Sequence, residues 1–182
     1  MAKSILKEIN SSKFNIFKIS RKEIDFDTKK SSSKLNKYLK KNNPDSIINC
    51  IGLFKGNNFD FTSIFNINTK VAWDLINFYR LENKKKVKII LIGSSAYNKP
   101  RKNYILYAAS KSALNSIVKS AKDLFINDNI KVYILNPPAM KSKMRDKFFK
   151  NNEKIKRMSD KEIDPSVIAK KIAKIIYKWK KF

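Results

Sequence analysis

Val87-Lys88-Ile89-Ile90-Leu91-Ile92-Gly93-Ser94-Ser95 is the stretch that decides the fold of this chain. A short apolar run stopped by glycine and serine reads as a strand buried on both faces, the kind found in a parallel sheet lying between two layers of helices. Ser46-Ile47-Ile48-Asn49-Cys50-Ile51-Gly52 upstream has the same character, as does Ile130-Lys131-Val132-Tyr133-Ile134-Leu135 downstream, which Asn136-Pro137-Pro138 stops. Helical patterns lie between these runs. Ile64, Ile67, Val71, Leu75 and Phe78 recur at helical spacing within residues 61–79, and Ala109, Ala113, Ile117 and Ala121 form a small-residue stripe within residues 104–127. Strands alternating with helices predict the α/β class, a doubly wound parallel sheet with helices on both faces.

Toward the N-terminus, residues 1–10 read as helix with Ile5, Leu6 and Ile9 on one side, and Phe14-Asn15-Ile16-Phe17-Lys18-Ile19 reads as a strand. Ile24-Asp25-Phe26-Asp27 reads as a short second strand or strand end, and Ser31-Ser32-Ser33 as the cap of a helix over residues 35–39. At the other end Asp164-Pro165 supplies an N-cap and first helical position. The basic helix that follows carries Val167, Ile168, Ile172, Ile175, Ile176 and Trp179.

The length of 182 residues suits a single domain, and a hydrophobic content of 42% with 12% aromatics excludes a disordered chain. With one Cys and no His, disulfide frameworks, the usual zinc sites and imidazole-dependent triads are excluded, so no metal is expected. No apolar run is long enough to span a bilayer, which makes a cytoplasmic protein the default expectation. A net charge of +26 raises nucleic acid as a partner, but only five of the 41 basic residues are Arg, and the 36 Lys are scattered. Weak, salt-screened polyanion binding is expected, and no specific nucleic acid.

In a doubly wound sheet the ligand lies beyond the carboxyl ends of the strands. Ser20-Arg21, Asp25, Asn49 to Gly52, Ser94-Ser95 and Asn136-Pro137 all fall there. Tyr107 and Lys111 lie nearby, four residues apart and so on one helical face. An ammonium about 4 Å from a phenol, at an effective dielectric near 20, favours the phenolate by at most about 4 kcal/mol, or roughly three pKa units. Such a tyrosine can move a proton on or off a carbonyl oxygen. Tyr177/Lys181 has the same spacing, and chance alone supplies one or two such pairs in a chain this rich in lysine, so context has to separate them.

The context is a resemblance. Asn49-Cys50-Ile51-Gly52, Asn66-Ile67-Asn68-Thr69-Lys70, Gly93-Ser94-Ser95, the Tyr107 to Lys111 spacing, and Asn136-Pro137-Pro138 with Ser142-Lys143-Met144 follow one another as the motifs of the short-chain dehydrogenase/reductase family do. The chain resembles that family from Met1 to about Ala173, and the resemblance implies a single Rossmann-like NAD(P)-binding domain over residues 1–182. It implies catalytic roles for Asn68 (proton relay through a helix distortion), Ser95 (substrate oxygen), Tyr107 (general acid/base) and Lys111 (nicotinamide ribose, and lowering the Tyr107 pKa). Ser95 stands twelve residues before Tyr107 where thirteen is usual, so Ser94 is the alternative. The implied cofactor contacts are Ser20, Arg21, Asp25, Asn49, Cys50, Ile51, Gly52, Tyr107, Lys111, Pro137 and Ser142. An arginine just past the first predicted strand suits a 2′-phosphate, so NADP(H) is favoured over NAD(H).

The resemblance further implies a carbonyl or alcohol substrate, sugar nucleotide and acyl compound both remaining open, and a homodimer or homotetramer joined through the helices at 61–79 and 104–127. The family's first strand and Gly-rich turn have no counterpart, since Gly52, Gly56 and Gly93 are the only glycines, and no last strand is identifiable. The expected sheet therefore lacks its first strand and its last. The leading expectation is an NADP(H)-dependent reductase or dehydrogenase from a longer reading frame. A non-catalytic relative acting as a fragment or partner subunit is the alternative, and a basic nucleic-acid-binding module is the weakest.

Overall fold

The computed structural model describes residues 1–9, 11–56, 59–82, 86–151 and 162–178. Its elements are α1 (Ala2–Glu8), α2 (Ser31–Asn42), β1 (Ser46–Asn49), α3 (Phe61–Phe65), a π-helical turn (Asn66–Lys70), α4 (Val71–Glu82), β2 (Val87–Ile92), α5 (Ile105–Leu124), β3 (Ile130–Leu135), α6 (Lys143–Lys150) and α7 (Pro165–Tyr177). The three strands form one parallel sheet in the order β1-β2-β3. Ile47 pairs with Ile89 and Ile90 with Tyr133 in register. Asn10, Trp179 and Lys181, to which the sequence assigned helical positions, lie outside the described residues.

Alternation along β2 divides the core into two layers. Val87, Ile89 and Leu91 face one cluster with α2, α4 and α5, through Leu35, Leu75, Ile76, Leu114 and Val118. Ile90 and Ile92 face a second cluster with α1 and α7, through Ile5, Ile168, Ile172 and Ile176. Ile89, Ile90 and Leu91 are each 0% exposed, and complete burial of such a side chain contributes about 1.5–3 kcal/mol. Lys88 is the exception in the strand. Its buried ammonium donates to the Ile175 carbonyl near the end of α7, where a cation meets the negative end of the helix dipole. Asp164 caps α7 as expected, its carboxylate accepting from the Ser166 N–H at 2.8 Å.

Residues 14–19, expected as a strand, are not one. Phe14 and Ile16 pack on the α7 side of the sheet and Ile19 on the α4 side, so the segment lies at sheet level. A strand is defined by the ladder beside it, and among the described residues no strand lies between this segment and β1 to supply one. Residues 24–27 are likewise a turn: the Asp25 carboxylate accepts from the Asp27 N–H, and the Asp25 carbonyl accepts from Thr28, while Ile24 and Phe26 anchor it in the core. The serines ahead of residue 35 lie inside α2 without capping it; Ser32 donates instead to Asp74 of α4 at 2.8 Å.

Candidate active site

The carboxyl ends of β2 and β3 are tied to each other and to α5 by one side chain. Asn136, just past β3, accepts from the Ser94 N–H at 3.1 Å and donates to Asn115 of α5 at 3.0 Å. Gly93 is required by this arrangement: a Cβ there would lie 1.8 Å from Asn136 Oδ1. Gly93 N–H also donates to the Leu135 carbonyl and Ser95 N–H to the Pro137 carbonyl, both at 2.8 Å, which fixes the turn after β2 against the turn after β3.

Asn68 fixes the turn after β1. The π-helical turn carries Asn68 inward to 3% exposure, where its Oδ1 accepts from the Leu53 N–H at 2.7 Å. Its Nδ2 donates to the Leu53 carbonyl at 2.9 Å and to Ser110 Oγ at 3.0 Å. Ser110 in turn donates to the Tyr107 carbonyl at 2.8 Å, so the residues after β1 and the start of α5 are joined through one amide. Such one-residue helix expansions are common at functional sites. Asn68→Ala leaves the Leu53 N–H and carbonyl without their partner. It is expected to cost about 2–3 kcal/mol, lowering the melting temperature by roughly 5–10 °C. A melt within a degree of the wild type would sink that role.

Tyr107 sits on the first turn of α5 in an aromatic cage. Phe54 packs edge-on at 4.7 Å between ring centres and Tyr104 at 6.1 Å, while Phe148 of α6 lies against Phe54 at 4.2 Å, its ring tilted by 37°. Burial raises the phenol above its ordinary pKa; a hydrogen bond with the Ser94 side chain and the charge of Arg145 pull it back only in part. Two sequence expectations change here. The serine bonded to Tyr107 is Ser94, the one at the usual thirteen-residue spacing, whereas Ser95 begins the short helical turn Ser95–Asn98. A second cation besides Lys111 acts on the phenol: Arg145, which is ion-paired to Glu162 at 2.5 Å.

Lys111 is buried beneath Tyr107, its ammonium 5.9 Å from the centre of the phenol ring and donating to the Ile92 carbonyl at 3.1 Å. Burial pushes its pKa down to about 8. A Cβ on Gly52 would lie 3.9 Å from that ammonium and 3.7 Å from Asn68 Oδ1, so Gly52, Asn68 and Lys111 converge on one point. An ammonium has three donors, and one carbonyl leaves most of that capacity for a polar ligand.

A cleft of about 240 Å³ opens beside β1. Six of the expected cofactor residues line it: Ser20, Arg21, Asp25, Cys50, Ile51 and Gly52. Burial pushes the Cys50 thiol up to about 11, so it is a neutral wall at ordinary pH. Asn49, Tyr107, Lys111, Pro137 and Ser142 do not line the cleft. Asn49 closes its own turn by accepting from the Ile51 N–H at 2.9 Å, Pro137 is buried under the Ser95 contact, and Ser142 caps α6 by accepting from the Arg145 N–H at 3.2 Å. The sequence reading missed Phe54, Arg145 and Glu23. Glu23 accepts both the backbone N–H of Ser20, at 2.7 Å, and its hydroxyl.

No curated protein matches the chain. Among solved structures, a short chain dehydrogenase family protein from Francisella tularensis subsp. tularensis SCHU S4 superposes with a TM-score of 0.75 at 17% identity, over 93% of this chain and 84% of that one. The structure of 4-hydroxyisoleucine dehydrogenase complexed with NADH superposes with a TM-score of 0.69 at 23% identity, over 87% of this chain and 73% of that one. An angucycline C-6 ketoreductase with bound NADP gives a TM-score of 0.65 at 16% identity, over 81% of this chain and 64% of that one. At these identities the superpositions speak for the fold. The sequence itself matches the profile described as short chain dehydrogenase over residues 3–153, and the chain belongs to that family.

Proposed function

We propose that the chain is an oxidoreductase that interconverts a carbonyl and a hydroxyl group, with Tyr107 as general acid in reduction and general base in oxidation. The observation that carries this reading is the meeting of Ser94, Tyr107 and Lys111 at the strand ends: a phenol bonded to a serine hydroxyl, with a buried ammonium one helical turn below. Ser94 holds the substrate oxygen beside the phenol. Tyr107 gives that oxygen its proton as the carbonyl carbon is reduced.

A nicotinamide dinucleotide fits the residues present and supplies the hydride. Lys111, with donors to spare, takes its ribose hydroxyls. Gly52 and Ile51 leave room along β1, and the Ser20–Asp25 side of the cleft takes the adenosine half. At about 240 Å³ the cleft suits half a dinucleotide, since whole ligand pockets run to roughly 300–1,000 Å³. Arg21 favours NADP(H) over NAD(H), because a guanidinium forks onto a phosphate.

A thermal melt with and without each nucleotide tests the reading. A ligand at a hundred times its dissociation constant adds about 2.7 kcal/mol to a folded binder, so a cooperative transition is expected to move up with NADPH and less with NADH. A melt blind to both nucleotides overturns it and leaves a non-catalytic relative.

A further inference from the structure

Arg101 stands on the turn between the end of β2 and the start of α5, a turn closed where the Tyr104 N–H donates to the Arg101 carbonyl at 3.0 Å. Its guanidinium carbon lies 6.0 Å from the centre of the Tyr104 ring. Tyr104 in turn meets Phe54 at 5.0 Å, Phe148 at 5.8 Å and Tyr107 at 6.1 Å between ring centres, so the cation rests on the rim of the cage around the phenol. Its Nε–H is buried and has no hydrogen-bond partner, and no carboxylate among the described residues pairs with the guanidinium. Arg145, the other guanidinium beside the cage, is already neutralised by Glu162. A buried donor left unpaired is costly, and beside a reacting group it marks where the acceptor of a ligand goes.

We propose that Arg101 takes a carboxylate of the substrate, so that the protein acts on oxo acids and the matching hydroxy acids in preference to neutral carbonyl compounds. The proposal rests on the carbonyl–hydroxyl reading above and names its substrate class. A guanidinium presents its Nε–H and one terminal N–H side by side, at the spacing of the two oxygens of a carboxylate, and it is the Nε–H that the protein leaves unmet. The guanidinium touches the Tyr104 ring, the neighbour of the Tyr107 ring, so the carboxylate belongs a few bonds away from the carbonyl that Tyr107 serves. The oxo group gains the hydride of the reduced cofactor and the Tyr107 proton to become a hydroxyl, and the carboxylate is unchanged by the reaction. Its part is to fix the substrate against the cage, whose aromatic walls offer the carbon chain an apolar surface and no other charge recognition.

The probes are 4-oxopentanoate, 5-oxohexanoate and 6-oxoheptanoate, each against its own methyl ester, with NADPH and with NADH as reductant. At least one acid is expected to show a kcat/KM about tenfold or more above that of its ester, the difference lying in KM. In Arg101→Met the ratio is expected to collapse to near one through a rise in KM for the acid, and Arg101→Lys, which keeps the charge and loses the fork, is expected to fall in between. Lys99→Met controls for the field of a chain with a net charge of +26: Lys99 is exposed on the same turn, and its removal is expected to leave the ratio in place. A thermal melt reads binding without turnover. Only the acid, and only with Arg101 present, is expected to raise the transition, and R101M without ligand is expected to melt with the wild type because the side chain it replaces makes no hydrogen bond to a described residue. Esters reduced as well as their acids in every pair, acid and ester lowered alike in R101M, or a ratio lost in K99M as it is in R101M overturns the proposal while the carbonyl reading stands. A wild type that reduces no member of any pair and melts unchanged with each of them takes down both.

Discussion

Tyr107→Phe is expected to lower the proposed carbonyl-reducing turnover by about a thousandfold or more while leaving the nucleotide-induced rise in melting temperature in place. The substitution deletes one oxygen. The ring still packs against Phe54 and Tyr104, so the cage and α6 above it stay as they are. On the proposed reading the proton for the substrate oxygen would be lost, and general acid–base groups contribute roughly 10²–10⁴-fold, together with the phenol's hydrogen bond to Ser94. Because burial raises the Tyr107 pKa above its ordinary value near 10, the phenol is protonated throughout the neutral range in the unliganded protein, poised as an acid. A difference titration of wild type against Y107F is therefore expected to show no tyrosinate from this residue below about pH 10. Y107F retaining a tenth of the wild-type rate would remove Tyr107 from the chemistry.

How much of this was legible in the sequence depends on how local each cause is. β2 and β3 run from Val87 to Ile92 and from Ile130 to Leu135, as read, because a strand covered on both faces writes its burial into consecutive residues. α5 follows from its periodicity, and the distortion at Asn68 from the motif around it. Residues 14–19 have as apolar a pattern as any strand, but pairing depends on a neighbour and no window of sequence contains the neighbour. The sequence reading puts Ser95 on the substrate oxygen, with Ser94 kept as the alternative by its thirteen-residue spacing, and the geometry gives the reason for the alternative: the first residue after Gly93 has its N–H held by Asn136 and its side chain turned to Tyr107. Arg145 and Phe148 reach the site on α6, which carries no motif of its own.

Lys111→Met is expected to do two opposite things, to stabilise the unliganded protein and to abolish its activity. Lys111 is 4% exposed, and the protein satisfies its ammonium with one carbonyl, that of Ile92 at 3.1 Å. Burial drops its pKa from 10.5 to about 8, so the charged form is worse off in the folded chain than in the unfolded one by about 3 kcal/mol. The sign follows from proton counting. Below about pH 8 both states hold the proton and the full penalty is present. Between about pH 8 and 10.5 the folded state has released it while the unfolded state has not, so wild-type stability gains on the variant as pH rises. A methionine fills nearly the same volume without charge and gives up only the Ile92 bond, worth about 1 kcal/mol. Denaturant unfolding at pH 7 is thus expected to show K111M more stable by about 2 kcal/mol, with the gap closing toward pH 10.5. The same variant is expected to lose most of its nucleotide-induced shift, because the donors left over from Ile92 are those that would take the ribose hydroxyls. K111M less stable than the wild type at pH 7, or a gap indifferent to pH between 8 and 10.5, would mean that the ammonium is satisfied within the protein. A cation whose removal strengthened the fold but emptied the site would be one kept for its ligand, and that trade would separate Tyr107/Lys111 from a tyrosine and a lysine four apart by chance.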